Sequence, residues 1–445
     1  MKFTKMSLVA ALLVGSSAFA IENVKVSGDA KLFYATEQGG LSVSGASSDM
    51  FNKDASVGQV AASLSVTADL TKNVSFGGKA TALSTLGLEG QLVNQVWEAP
   101  NGLTDTYIVN DLWLAATVAK TTAKIGRMEL DTPLVFTEKW SLVENTFESA
   151  VIINTDIPNT TLVGAYVGGS NSQYVGGTGA GYGGVIDSQN VNTGNIVTKD
   201  GLAVYETTNN GSTFSQFYNG AYAAGVINNS WKPLTVQAWY YNATKVGTAY
   251  WLQTDLSMDG ILFGAQFTGV DLGGYSAALK SNTAYAIMAG YEMKDMFTAK
   301  FSYSIVSDDA GVGAGFNLAG SGQSKLYTEA WWNYGRITQV DTTAMNLTIE
   351  APIGDIVDLG LYATMASSGT DKANDLTEVT ITASHSFGPL DASIAVIYTD
   401  TDTSAVASSN DSVAATASTV AKANTTEAGS ADTSGAVQAY LTYNF

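Results

Sequence analysis

Hydrophobic and polar side chains alternate with a period of two along most of this 445-residue chain. Over Val24–Thr36 one face reads Val24, Val26, Gly28, Ala30, Leu32 and Tyr34, the other Lys25, Ser27, Asp29 and Lys31. Ala62–Leu70 sets Ala62, Leu64, Val66, Ala68 and Leu70 against Ser63, Ser65, Thr67 and Asp69. Phe297–Ile305 and Val357–Met365 repeat the alternation. An extended chain points successive side chains to opposite faces, so this is the strand period and not the helical one. The pattern predicts eighteen strands, over 24–36, 58–70, 74–83, 106–118, 122–128, 149–157, 160–168, 214–227, 234–244, 247–257, 260–270, 283–293, 297–306, 343–351, 356–367, 376–387, 390–400 and 435–445. Sixteen and twenty are the alternatives. Lys325–Arg336 also looks like a strand, but counting it makes the total odd, and single-chain bacterial barrels have even numbers. It is assigned to a long loop, 307–342, that folds back as structure.

Connections alternate in length. Short turns fall near 70–73, 119–122, 157–160, 227–233, 257–260, 292–296, 351–356 and 388–389. Between them lie longer segments rich in Gly, Ser, Asn, Thr and Asp, the extremes being 168–213 and 400–434. Short turns at one end and long loops at the other are the plan of a transmembrane antiparallel β-barrel. In lipid every backbone N–H and C=O must pair within the protein, so the sheet has to close. The polar face then lines a wet lumen, which explains a mean hydropathy of only +0.09. Aromatics near strand ends, Trp97, Trp113, Tyr166, Trp231, Trp239, Tyr240, Tyr241, Trp251 and Tyr398, suit an interfacial girdle.

Both chain ends carry signals. Met1–Ala20 has Lys2 and Lys5, an apolar run Ser7–Val14 and Ala18-Phe19-Ala20, the plan of a secretory signal peptide cleaved after Ala20. The domain reading is therefore a signal peptide, 1–20, and one barrel, 21–445. The last strand puts Val437, Ala439, Leu441, Tyr443 and Phe445 on one face. Tyr443 and the terminal Phe445 resemble the insertion signal of bacterial outer-membrane barrels. That likeness implies the outer membrane as location, and outer-membrane lipid, lipopolysaccharide and the barrel-assembly machinery as partners.

Composition narrows the function. Charged residues make up 14% of the chain, against ~25% in ordinary soluble domains. There is no Cys and one His, so a thiolate zinc site, a Cys nucleophile and a poly-His centre are out, and no enzyme constellation is recognisable. The net charge of −19, or −21 once Lys2 and Lys5 are removed, argues against nucleic acid as a partner. No cofactor is required, although clustered carboxylates could hold Ca²⁺. His385 shares a face with Val379, Ile381, Ala383 and Phe387, a packing or girdle position. The Gly-rich Gly168–Gly184 lacks the Gly-Lys-Ser/Thr ending of a phosphate loop.

The run Gly126-Arg127-Met128-Glu129-Leu130-Asp131-Thr132-Pro133-Leu134, leading into Phe136-Thr137-Glu138-Lys139-Trp140, resembles the major outer membrane protein porins of epsilonproteobacteria and related Gram-negative substrate-channel porins. The resemblance implies a barrel of sixteen or eighteen strands, a homotrimer, and a third long loop that folds inward and narrows the pore. By position that loop is 128–148. Relatives that take up small carboxylates carry a ladder of arginines, whereas this chain has only Arg127 and Arg336.

The expected constriction carries Arg127, Glu129, Asp131, Glu138, Lys139, Glu144 and Glu148. The expected lumen-facing charges are Lys25, Asp29, Lys31, Asp69, Lys79, Lys300, Asp358 and Asp391. A narrow passage lined by one sign of charge concentrates counter-ions. These residues predict a passive, water-filled channel for ions and small hydrophilic solutes with a preference for cations. Arg127 has two readings, a partner to the acids across the constriction or a structural fork pairing with Glu129 or Asp131. The competing function is a barrel with an adhesive or envelope-structural role.

Overall fold

The computed structural model describes residues 21–38, 49–93, 106–139, 142–171, 196–199, 202–209, 212–244, 246–273, 281–309, 312–320, 322–369, 375–402 and 431–445. The signal peptide 1–20, Trp97, Trp140, and most of 168–184 and of 400–434 lie outside the described residues. The strands are β1 (22–37), β2 (56–71), β3 (74–84), β4 (106–118), β5 (121–128), β6 (147–154), β7 (160–170), β8 (196–199), β9 (202–209), β10 (212–228), β11 (234–243), β12 (247–258), β13 (261–271), β14 (282–293), β15 (297–306), β16 (342–353), β17 (357–368), β18 (376–387), β19 (390–402) and β20 (431–444). Each wall strand pairs antiparallel with its neighbours, β7 pairs directly with β10, and β20 returns to β1. The result is a closed barrel of eighteen strands. The hairpin β8–β9 attaches to the edge of β10 and does not enter the wall. It falls inside 168–213, read from sequence as loop throughout. Among the described residues no helix is long and apolar enough to cross a membrane.

All eighteen predicted segments are wall strands. One end of the barrel has only short turns. Met258 pairs with Ile261 across Asp259-Gly260, where both residues have positive φ (53° and 84°), the geometry a two-residue Asp-Gly hairpin requires. The other end carries the long connections, with one exception at 244–246 between β11 and β12.

The register sets the two faces. Leu112, Ile125, Ile287, Phe301 and Met365 point outward and are roughly half or more exposed, as lipid-facing residues must be. The inward face mixes hydrogen-bonded polar groups with apolar side chains on which the inward loops pack: Ser63 and Thr81 hydroxyls lie 2.9 Å apart, and Thr81 donates to Asn110 at 2.7 Å.

The girdle departs from the sequence reading. Tyr166, Tyr240 and Tyr398 do face outward, and Trp231 is exposed in a turn. Trp113, Trp239, Tyr241 and Trp251 instead face inward by register. Trp239 and Trp251 are buried in the lumen, each donating its indole N–H to Gln237 or Gln253 two residues away on the same face. The outer aromatic belt uses Tyr222, Tyr250, Phe267 and Tyr285 as well, with ring centroids 5.4 Å apart for Tyr166–Tyr222 and 4.7 Å for Phe267–Tyr285. His385 is on the outward face beside Phe387, centroids 4.4 Å apart.

The inward Trp113 lies flat over Gly77, its cross-strand partner, where a Cβ would fall within the indole ring. Gly77→Val is therefore expected to lower stability by about 1–3 kcal/mol, the usual cost of overpacking. The measurement is the temperature at which the barrel loses its heat-modifiable gel migration.

Candidate functional site

Two loops fold into the barrel, and a cavity lies beside them. The first joins β5 to β6 and spans 129–146, so that Met128, Phe147 and Glu148 belong to strands. Thr137 N–H donates to the Leu130 carbonyl at 2.7 Å and Thr132 N–H to that of Val135 at 3.1 Å, making a narrow finger with Pro133 at its tip. The finger's apolar side packs into the lumen: Leu130, Leu134 and Val135 join one core with Trp239, Tyr241, Trp251 and Phe316. The Tyr241 hydroxyl accepts from Leu134 N–H at 3.3 Å.

The second loop joins β15 to β16 across 307–341. As expected for 307–342, it folds back, and Lys325–Arg336 is not a strand. Asn317 locks the loops together. Its Nδ2 donates to the Phe136 carbonyl at 2.8 Å and to Glu138 Oε1 at 2.9 Å, while Leu318 N–H donates to the Leu134 carbonyl at 2.8 Å. Two carboxylates then hold the segment around 324–335. Glu329 accepts N–H groups from Ser324, Ala330 and Gly335 at 2.6, 2.9 and 3.1 Å. Glu378 on β18 accepts the N–H groups of Trp332 and Asn333 and the Asn333 amide at 3.0, 2.7 and 2.8 Å. Burial raises the Glu329 carboxyl to about 8; its three N–H donors oppose that shift and nearby Glu378 adds to it.

The opening is a cavity of about 870 Å³. Glu129, Asp131 and Lys139 reach it from the first loop, Lys325, Trp331 and Trp332 from the second. Ser393, Gln438 and Tyr440 close the far side from β19 and β20. Its charges are matched: Lys139 sits 2.6 Å from Glu129, and Lys325 pairs with Asp131.

The seven expected constriction residues thus separate into three groups. Glu129, Asp131 and Lys139 line the cavity. Glu138 and Glu144 are buried beneath it, Glu138 on Asn317 and Glu144 in an ion pair with Lys79. Arg127 and Glu148 pair at 3.0 Å on the outward face shared with Leu112 and Ile125, and Arg127 also donates to the Val109 carbonyl at 2.9 Å. Arg127 is thus a fork, with Glu148 as its partner in place of Glu129 or Asp131. The pairings of β5 run unbroken to Met128 through Gly126, which takes a positive φ of 129°, and the register decides the side.

All eight expected lumen charges occupy inward register positions. Lys31 lies 3.7 Å from Asp29 and 4.0 Å from Glu144. Asp69 and Asp391 accept hydrogen bonds from Asn23 and Asn444. Near the short-turn end a second cavity, about 300 Å³, collects Glu292, Asp295, Glu350 and Asp358. Among the described residues no group of three or more His, Cys, Asp or Glu is placed to hold a metal ion. Sequence reasoning missed Lys325, the tryptophan pair, Gln438 and Glu378. The available signal was that an aromatic segment, KLYTEAWWNYGR, found no place among the wall strands.

No family model and no curated protein matches this sequence. Solved structures do match the fold. Pseudomonas aeruginosa OpdK, crystallised with vanillate, aligns with a TM-score of 0.65 at 11% identity, covering 95% of this chain and 99% of its own. OccK8 (OprE) of the same organism aligns at 0.62 and 13% identity over 96% and 99%, and OccK3 (OpdO) at 0.61 and 13% over 95% and 96%. OpdK is described as an outer membrane protein.

Proposed function

We propose that this chain is an outer-membrane porin, a passive water-filled channel for ions and small hydrophilic solutes, with a preference for cations. One observation carries the reading: a closed barrel with an apolar outside, in which two inward loops pack against one side of the lumen and leave a polar, charged cavity beside them. The shared fold with OpdK supports the location and the channel class. The matched charges of the cavity do not favour either ion. The preference arises nearer the short-turn end, where Glu292, Glu350 and Asp358 make no ion pair among the described residues and face the lumen beside Lys300. Acids without ion pairs that face a lumen raise the local cation concentration.

The test is the purified mature protein in a planar bilayer under a KCl gradient. Steady conductance with a cation-shifted reversal potential is expected. The combined Glu292→Gln, Glu350→Gln and Asp358→Asn variant should move the reversal potential toward zero at unchanged heat-modifiability. Chloride preference in the wild type would remove the selectivity claim, and folded barrels without conductance would remove the channel.

A further inference from the structure

The two sides of the 870 Å³ cavity differ in chemistry. On one side stand Glu129, Asp131, Lys139 and Lys325, closed into two ion pairs. Facing them are three aromatic rings, Trp331, Trp332 and Tyr440, with the neutral hydrogen-bonding groups of Ser393 and Gln438 between. The indoles are held in place. Both pack on Ala395, Ile397 and Ala436 of the wall, and Glu378 clamps the backbone at Trp332 and Asn333. Tyr440 is braced by Phe33, centroids 4.6 Å apart. Gln438 is 1% exposed, and its amide oxygen is a buried acceptor with no partner among the described residues.

Fixed aromatic faces beside neutral donors and acceptors match one solute chemistry, that of a sugar ring. A pyranose has a face of weakly positive C–H groups that packs on the negative face of an indole or phenol. Its rim of hydroxyls both donates and accepts, so it can answer Ser393 and the outer lone pairs of Glu129 and Asp131 together. A charged solute is poorly served: either sign meets one like charge for every opposite one and must break an ion pair to gain a partner. The volume falls in the range of roughly 300–1,000 Å³ usual for small-molecule sites. Resting on the channel reading above, we propose that this cavity is a binding site for neutral mono- and disaccharides, with Trp331 and Trp332 as the stacking platform.

The test records single-channel current in a planar bilayer with maltose, sorbitol or sodium benzoate added. Sorbitol offers hydroxyls without a ring, and benzoate a ring with a charge. Maltose is expected to interrupt the current saturably, while sorbitol and benzoate at equal concentration do not. Trp331→Ala and Trp332→Ala should each raise the half-blocking maltose concentration about five-fold, in line with a single lost stacking contact. Trp331→Phe, which keeps a ring, should recover most of that loss, and Trp331→Leu replaces the alanine variant if the latter does not insert. Equal interruption by maltose and sorbitol, block by benzoate in place of maltose, or indifference to both tryptophan variants would each overturn the assignment. A conducting channel that ignores maltose defeats only this inference, whereas absence of conductance defeats the porin reading itself.

Discussion

On the channel reading proposed above, replacing Glu378 by alanine is expected to give a larger and noisier conductance than wild type. The side chain is 1% exposed and points inward from β18. It accepts three N–H groups from the inward loop, at 2.7 to 3.0 Å. Hydrogen bonds to a charged acceptor contribute about 1.5–3 kcal/mol each, and stranding the donors adds their desolvation cost. Alanine removes all three at once, leaving the Asn333 bond to Thr399 at 2.9 Å, the Glu329 clamp and the apolar packing of the indoles to hold that stretch. Trp331 and Trp332 would leave the wall and the cavity would lose one side. The check is single-channel conductance at fixed KCl, with higher mean conductance and broader current noise expected for Glu378→Ala. Glu378→Gln keeps one acceptor and should fall between. A steady conductance equal to wild type in Glu378→Ala would show that the loop needs no such clamp.

The second large effect is of pH, and its sign follows from Glu329. Docked, this carboxyl is held at about 8, first by burial and further by the facing Glu378 carboxylate. In a released, hydrated loop it returns toward its ordinary 4.5. The docked loop therefore binds the proton more tightly. Docking is at full strength below about 4.5, weakens as pH rises, and is weakest above about 8. Loop-opening events in single-channel records should be rarer at pH 5 than at pH 9. Glu329→Gln removes the titrating group and should flatten this dependence between those limits. A wild-type channel whose gating is the same at pH 5 and 9, or an equal pH response in Glu329→Gln, would count against it.

The parts of the molecule legible in sequence are those where a rule acts on every residue in turn. A wall strand between lipid and water must alternate, so parity along the chain is enough to place Lys25, Asp29 and Lys31 inward. The hairpin β8–β9 escapes because it lies beyond the wall, where no lipid face imposes alternation. Within strands the same rule divides the aromatics. Trp239, Tyr240 and Tyr241 are consecutive, so they cannot share one face, and Gln237 marks the inward side of Trp239. Arg127 shares parity with Ile125, and only the unbroken register to Met128 shows that it faces outward with it.

In the inward loops the rule lapses. Glu138 and Lys139 are neighbours, yet one is buried under Asn317 and the other lines the opening. Nothing in the run 129–146 announces which acid meets lysine from a loop far along the chain. By itself the sequence placed the wall strands and which of their positions face inward, because lipid demands closure and alternation at every strand; the loop that enters the lumen came from the resemblance of 126–140 to known porins. The tertiary structure alone decided the opening. Asn317 meets Phe136 across 181 positions and Lys325 meets Asp131 across 194. Such contacts exist only after the barrel has closed and brought the two loops face to face.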